Sequence, residues 1–274
     1  MTIKTGLNQF SLEGKTIAIT GGAGVLGATI ARGFADVGAR TVIMDLATDK
    51  ASQIAFDLGD EHLSVTTDVM DHSSIEQALE FILAEVGNVD ILVNGAGGNH
   101  PQSTTGPDKP FFDISRESME FVTSLNLTGT VIPSQVFGRY FAEKGHGSII
   151  NISSMNAFRP LTRIPAYSAA KAAVSNFTQW LAVHMAQEYS PEIRVNAIAP
   201  GFFLTDQNRF LLTDKATGEL TERGQKILDH TPQSRFGNPE DLVGTTIWLA
   251  SDAAKFVTGI VVPIDGGFSA FSGV

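Results

Sequence analysis

The chain has 274 residues, 43% of them hydrophobic, enough to build one large α/β domain or two small ones around a substantial core. It contains no cysteine, which excludes disulfides, thiolate metal sites and a thiol nucleophile. Nineteen basic against 29 acidic side chains give a formal net charge of -10, the wrong sign for binding through phosphate-backbone contacts, so no nucleic-acid partner is expected.

The first residues, MTIKTGLNQFSLEGK, hold no apolar core of signal-peptide length, and no later apolar run reaches membrane-spanning length. A soluble, unprocessed, cytoplasmic protein with no membrane partner is expected. Seven short β-branched runs are predicted strands: 15–20, 40–45, 62–68, 89–94, 147–153, 193–200 and 259–265. Most are apolar at consecutive positions instead of alternating, the pattern of strands buried on both faces of a parallel sheet.

Helical spacing follows the first strand in VLGATIARGFADVG and recurs in SIEQALEFILAEVG, where Ser73 with Glu76 three residues later predicts a capping box. Asn238-Pro239-Glu240-Asp241 opens a further helix, with asparagine at the cap and proline at the first helical position. Repeated strand and helix units predict a doubly wound parallel α/β sheet. No linker, repeat or low-complexity segment divides the chain, so 1–274 is expected to be a single domain. The irregular stretches 95–113 and 201–225 are candidate substrate-covering loops.

Thr20-Gly21-Gly22-Ala23-Gly24-Val25-Leu26-Gly27 joins the first strand to the first helix. Small residues there let backbone N–H groups approach a pyrophosphate, and the helix N-terminus adds the positive end of its dipole. Asp45 ends the second strand at about the interval expected for an acid that accepts both hydroxyls of an adenosine ribose. A 2′-phosphate would meet like charge there, so NAD is expected over NADP; the plainer reading is that Asp45 simply ends a strand. Asp68 is placed to meet the adenine edge, and Asn94-Gly95-Ala96-Gly97 sets a small-residue turn at the edge where open α/β sheets bind ligands.

Tyr167 and Lys171 lie four apart in a helix-compatible segment, so both project from one face. An ordinary phenol is a poor base at neutral pH, and making it one takes roughly 4 kcal/mol of preference for phenolate. One ammonium about 4 Å away, at an effective dielectric near 20, supplies a similar amount. Ser154, thirteen residues before Tyr167, is placed to polarise a substrate oxygen, with Ser153 as its rival. The six histidines form no ligand-spaced cluster, and no catalytic metal is expected.

TGGAGVLG, NGAG, Ser154 with Tyr167-Ser168-Ala169-Ala170-Lys171, Ala199-Pro200-Gly201 and Asp265-Gly266-Gly267 together resemble the short-chain dehydrogenase/reductase family over essentially the whole chain. The resemblance implies a Rossmann-type sheet in the order 3-2-1-4-5-6-7, a homotetramer, and Asn126 as a fourth catalytic residue that holds a proton-relaying water. It also implies cofactor contacts at Gly21, Gly24, Val25, Leu26, Gly27, Val69, Asn94, Ala96, Gly97, Pro200, Gly201 and Thr205, with Tyr167 and Lys171 reaching the nicotinamide end. Val25 departs from the family's usual glycine, and Gly95 from its usual second asparagine.

Within the family, NGAGGNHP, the stretch from Asn151 to Val183, APGFFLTDQNR and DGGFSAFSGV are similar to bacterial D-mannonate oxidoreductases, also called fructuronate reductases. That narrower resemblance implies D-fructuronate and NADH interconverting with D-mannonate and NAD. Other substrates remain open, among them a different sugar acid, a polyol or a 3-oxoacyl thioester, as does a nucleotide-binding regulator without chemistry. A sugar acid needs a cation for its carboxylate and polar groups for its hydroxyls. Asn99, His100, Asn156, Arg163, Gln207, Asn208 and Arg209 lie in loops that can supply them, with His100, Asn156 and Arg209 the chosen candidates.

Overall fold

The computed structural model describes residues 6–204, 212–214 and 217–273. Strands and helices alternate as β1 (Thr16–Thr20), α1 (Val25–Asp36), β2 (Arg40–Asp45), α2 (Thr48–Leu58), β3 (Leu63–Thr66), α3 (His72–Val86) and β4 (Ile91–Asn94). The second half continues with α4 (Arg116–Thr123), α5 (Gly129–Lys144), β5 (Gly147–Ile152), α6 (Pro165–Glu188), β6 (Ile193–Pro200), α7 (Glu222–Asp229), α8 (Val243–Ala250) and β7 (Val261–Ile264).

All seven strands pair in parallel, in the order β3-β2-β1-β4-β5-β6-β7, as the family resemblance implies. The consecutive apolar residues of the strands are explained by the two layers that flank the sheet. On one side Ile17, Ile19, Ile43 and Ile91 pack with Ile30 and Phe34 of α1 and Leu249 of α8. On the other, Ala18, Val42, Leu92 and Ile149 pack with Ile75 and Ile82 of α3, Phe137 and Phe141 of α5 and Leu181 of α6. Fully burying each such isoleucine or phenylalanine contributes roughly 1.5–3 kcal/mol, so strand and helix stabilise one another as one unit. The result is a single α/β domain of Rossmann type.

Local chemistry trims several predicted ends. β3 begins at Leu63 because the buried His62 turns back, its Nδ1 accepting the Thr41 N–H at 3.1 Å. β4 begins at Ile91, and Asp90 instead spends its carboxylate on the Thr16 N–H (3.0 Å) and the Lys144 amine (2.9 Å). α3 is capped by Asp71, which accepts from Ser73 N at 2.9 Å, and not by Ser73, whose hydroxyl accepts from Gln77. An aspartate two residues earlier offers a stronger, charged acceptor to the helix's free N–H groups. At Asn238 the expected cap is present: its N–H donates to Asp241 Oδ2 at 2.8 Å, and a short 3-10 turn leads into α8.

Parallel winding brings the carboxyl ends of β1, β4, β5 and β6 to one edge, where the turns after Thr20, Asn94, Ile152 and Pro200 gather. Among the described residues, no helix is long and apolar enough to cross a membrane.

Candidate active site

The glycine-rich turn is built around Thr20. Its buried hydroxyl accepts from the N–H groups of Gly95 (3.2 Å) and Ala96 (3.3 Å), clamping the turns after β1 and β4 together. That closeness dictates Gly21, whose φ is +65° and where a Cβ would sit 2.7 Å from the Ala96 backbone. A Cβ at Gly27 would overlap the Gly21 carbonyl, so the helix can start against the turn only with glycine there.

Gly24 is the N-cap of α1 and offers no side-chain cap; the first closing bond runs from Ala28 N to Gly24 O at 2.8 Å. The N–H groups of Val25, Leu26 and Gly27 therefore head the helix without intrahelical partners, at the positive end of its dipole. A pyrophosphate fits this cradle. Val25 in place of glycine begins the helix normally.

Asp45 does more than end β2. Its Oδ2 accepts from Ala23 N and its Oδ1 from Ala47 N, both at 3.0 Å, so the carboxylate shapes the glycine turn while keeping lone pairs for a ribose. Asp68 closes its own turn by accepting from Met70 N (2.9 Å), and Val69 is buried against the start of α5. The Asn94 side chain points into the protein and not toward the cleft: its amide donates to Ser134 Oγ and Asn151 Oδ1, each at 2.9 Å. Only the backbone at 94–97 lines the cleft edge. Beyond β6, Gly201 N donates to Ile264 O at 2.9 Å, fixing the Pro200-Gly201 turn. Thr205, Gln207, Asn208 and Arg209 lie outside the described residues.

Tyr167 lies in the first turn of α6, which opens on Pro165, and Lys171 in the second. The Ser154 hydroxyl lies near enough to the Tyr167 phenol to favour its ionised form, and Ser154 Oγ accepts from Asn156 N at 3.3 Å. Ser153 is turned the other way, donating to the Lys171 carbonyl (3.1 Å) and sharing a 2.7 Å bond with Ser175. Sequence spacing could not separate these two serines; the strand's alternation does.

The Lys171 amine is almost fully buried, donates to the Ile152 carbonyl at 2.7 Å and lies 5.7 Å from the centre of the Tyr167 ring. Burial pulls its pKa down to about 8. Burial likewise pushes the Tyr167 phenol above its usual range, opposed by the nearby Ser154 hydroxyl.

Asn126 stands in a π-helical turn, Ser124–Thr128, between α4 and α5. It is fully buried, its amide donating to the carbonyls of Gly98 and Val122 (both 2.7 Å) and its Oδ1 accepting from Gly98 N (3.1 Å). A Cβ at Gly97 would lie 2.7 Å from Asn126 Oδ1 and 3.2 Å from Lys171 Nζ, so this glycine marks the point where both side chains meet the turn after β4. The wider helical turn displaces one residue from the α-helical ladder, a device common at functional sites. His100 caps the turn Pro101–Ser103 through Nδ1 and sits edge-on to Phe121. Asn156 is buried, and its Oδ1 has no hydrogen-bond partner among the described residues.

A family model described as enoyl-(acyl carrier protein) reductase matches residues 21–269. An uncharacterized oxidoreductase of Bacillus subtilis is 47% identical, covering 96% of this chain and 98% of that protein. A 2-dehydro-3-deoxy-D-gluconate 5-dehydrogenase of Dickeya dadantii is 36% identical over 96% of this chain and 99% of its own length. The crystal structure of a proposed D-mannonate oxidoreductase from Haemophilus influenzae, with NAD bound, superposes with a TM-score of 0.90 at 44% identity, covering 96% of this chain and 98% of that one. Sheet order, glycine turn, Ser154-Tyr167-Lys171 cluster and these full-length similarities agree: the chain belongs to the short-chain dehydrogenase/reductase family of oxidoreductases.

Proposed function

We propose that this chain uses NAD(H) to interconvert D-fructuronate and D-mannonate, with Tyr167 as general acid and base. The observation that carries the mechanism is the buried Lys171 amine 5.7 Å from the centre of the Tyr167 ring, four residues along the same helix. Val25, Leu26 and Gly27 hold the pyrophosphate of the dinucleotide, Asp45 its adenosine ribose, and Lys171 the ribose at the nicotinamide end. The bound nicotinamide supplies or accepts the hydride. Ser154 donates to the substrate oxygen and orients it, while Tyr167 delivers a proton to that oxygen in reduction and removes it in oxidation. Asn126 fixes the turn after β4 and positions Lys171 for exchange of protons with solvent.

NAD over NADP is supported by the Asp45 carboxylate, which would repel a 2′-phosphate, and by the NAD in the Haemophilus relative. The uronate is supported by that relative's description and by the quoted active-site stretches. The Dickeya relative favours a second reading within the same chemistry, a different keto sugar acid as substrate. The loops at 95–113 and 201–225 cover the substrate on either reading. Self-assembly, with the tetramer implied by the family, is supported by a groove of about 830 Å³ along α5 and α6, where Trp180 stacks between Phe177 and His184.

The test is NADH oxidation by the purified protein with D-fructuronate, 5-keto-D-gluconate, D-fructose and a 3-oxoacyl thioester, repeated with NADPH. D-fructuronate with NADH is expected to give the highest kcat/KM, and preference for a neutral sugar refutes the sugar-acid reading. Tyr167→Phe is expected to lower turnover about 10²- to 10⁴-fold with NADH affinity unchanged; retained turnover rejects its role.

A further inference from the structure

We infer that Asp265 is a positioning residue for the reaction: through the turn it closes after β7, it sets where α7 and the loop between Ser154 and Tyr167 stand at the reacting centre. The inference deepens the proposed function and rests on its reading of the 201–225 stretch, which runs into α7, as cover for the substrate.

Both Asp265 carboxylate oxygens turn back on the chain that follows. Oδ1 accepts from Gly267 N at 3.0 Å and Oδ2 from Ser269 N at 2.8 Å, and the charge on the acceptor makes such bonds stronger than neutral ones. The turn they hold touches three neighbours. At the exit of β6, Gly201 N donates to Ile264 O at 2.9 Å, and a Cβ on Gly201 would lie 2.6 Å from Asp265 Cα. The next residue, Phe202, packs edge-on against Phe268 with ring centres 5.2 Å apart. Beyond α7, Gln233 N donates to Gly266 O at 3.1 Å, and a Cβ on Gly266, whose φ is +63°, would lie 2.9 Å from Thr231 Cγ2. His230, the C-cap of α7, meets Phe271 edge-on at 6.3 Å. In the loop before α6, Arg159 Nε donates to the Ser269 carbonyl at 3.2 Å. The residue whose N–H is held by Asp265 thus gives its C=O to the chain between Ser154 and Tyr167.

The junction stands beside the chemistry. Ser153 N donates to Ile198 O at 2.8 Å, which sets the end of β6 alongside the residue before Ser154. A cavity of about 360 Å³, lined among others by Phe202, Thr231, Gln233, Asp265 and Gly266, opens at the junction. Close apolar packing therefore does not fix the two chain ends there, and their placement depends on the hydrogen bonds of the turn. Loosening the turn moves the cover and the catalytic loop relative to each other, while the pyrophosphate cradle at the start of α1 keeps its own contacts.

The experiment compares wild type with Asp265→Ala, Asp265→Asn and Arg159→Met, each saturated with NADH. In Asp265→Ala the Glu222–Asp229 amides of α7 are expected to exchange hydrogen about tenfold faster, with the amides of α1 and α3 and the NADH dissociation constant unchanged. In steady-state reduction of D-fructuronate, the same variant is expected to raise KM about tenfold with kcat within about threefold of wild type. Asp265→Asn, which keeps a neutral acceptor, is expected to recover much of both effects, and Arg159→Met to raise KM with Tm unchanged. Should Asp265→Ala fail to fold, the other two variants decide on the same readouts. Wild-type KM in Asp265→Asn and Arg159→Met, or faster exchange spread evenly over the whole chain with KM unmoved, overturns the inference. If D-fructuronate is not reduced but another substrate of the panel is, the uronate reading alone falls and the KM comparison is made with that substrate.

Discussion

Replacing Lys171 by methionine is expected to make the cofactor-free protein more stable while removing its turnover. Lys171 is 3% exposed, and its amine donates to a neutral carbonyl, Ile152 O. Burial lowers the amine's pKa from 10.5 to about 8. Holding a proton there at neutral pH therefore costs the folded state about 3 kcal/mol relative to the unfolded chain. Methionine keeps a similar unbranched stem and carries no charge, so that cost disappears. Against it stands the Ile152 carbonyl, which loses its lysine donor at a cost of about 1–3 kcal/mol. The net gain is on the order of 1 kcal/mol, or about 2–4 °C in Tm for a chain of this size.

The pH dependence gives the sharper test. Because the folded pKa lies below the unfolded one, the unfolded chain holds the extra proton between about pH 8 and 10.5, and wild-type stability climbs through that window. Below about pH 8 the penalty is fully present. In urea unfolding without cofactor, Lys171→Met is expected to be the more stable protein at pH 7, and its stability relative to wild type to fall by about 2 kcal/mol by pH 9.5, which reverses the order. A difference between the two proteins that is the same at both pH values would refute the reasoning, since it would mean that the amine is not held charged against its surroundings.

Asp45→Ala removes the acceptor for both Ala23 N and Ala47 N and the negative charge beside the ribose; NADH affinity is expected to fall about tenfold and the preference for NADH over NADPH to narrow, and an unchanged ratio of the two dissociation constants rejects the role. His62 is pulled below its usual pKa by burial, with Arg40 adding to the effect and Glu61 opposing it, and its Nδ1 accepts the Thr41 N–H only when unprotonated. Its folded pKa being the lower one, its contribution is full above the unfolded value near 6.5 and is lost as pH falls through the folded value; the loss of unfolding free energy between pH 7 and 5 is expected to be smaller in His62→Gln, and an equal loss removes His62 from the account.

Much of this architecture is legible in the chain because burial leaves a coarse mark. Strands covered on both faces are apolar at most positions, so the runs around Ile17, Val42, Leu92 and Ile149 announce a parallel sheet. The four-residue step from Tyr167 to Lys171 is likewise set by helix geometry alone. Features that depend on distant partners leave no such mark. Nothing near Asp45 in the chain shows that its carboxylate holds the Ala23 amide 22 residues earlier, or that Thr20 clamps Gly95 and Ala96 across the sheet edge. Ser153 and Ser154 have the same chemistry one residue apart; only the direction of each side chain from the end of β5 separates them. Asn94 reads as a cleft residue from its motif, yet its side chain completes a buried polar row with Asn151 and Thr178, because a parallel strand points alternate residues into the opposite layer.

The same desolvation that makes Lys171 costly also shapes the direction in which Tyr167 works most readily. With its phenol raised by burial, against the opposing effect of Ser154, the protein alone favours the protonated form of Tyr167. On the proposed assignment that is the form needed to reduce a ketone, so reduction starts from the ground state of the site. Oxidation needs phenolate, which would be favoured both by the Lys171 amine 5.7 Å from the ring centre, still largely charged at neutral pH with a pKa of about 8, and by an oxidised nicotinamide. The positive charge of the oxidised nicotinamide is present only in that direction. On that assignment, burial would couple the protonation state of Tyr167 to the charge of a bound dinucleotide, so that electrostatics would separate the acid role from the base role.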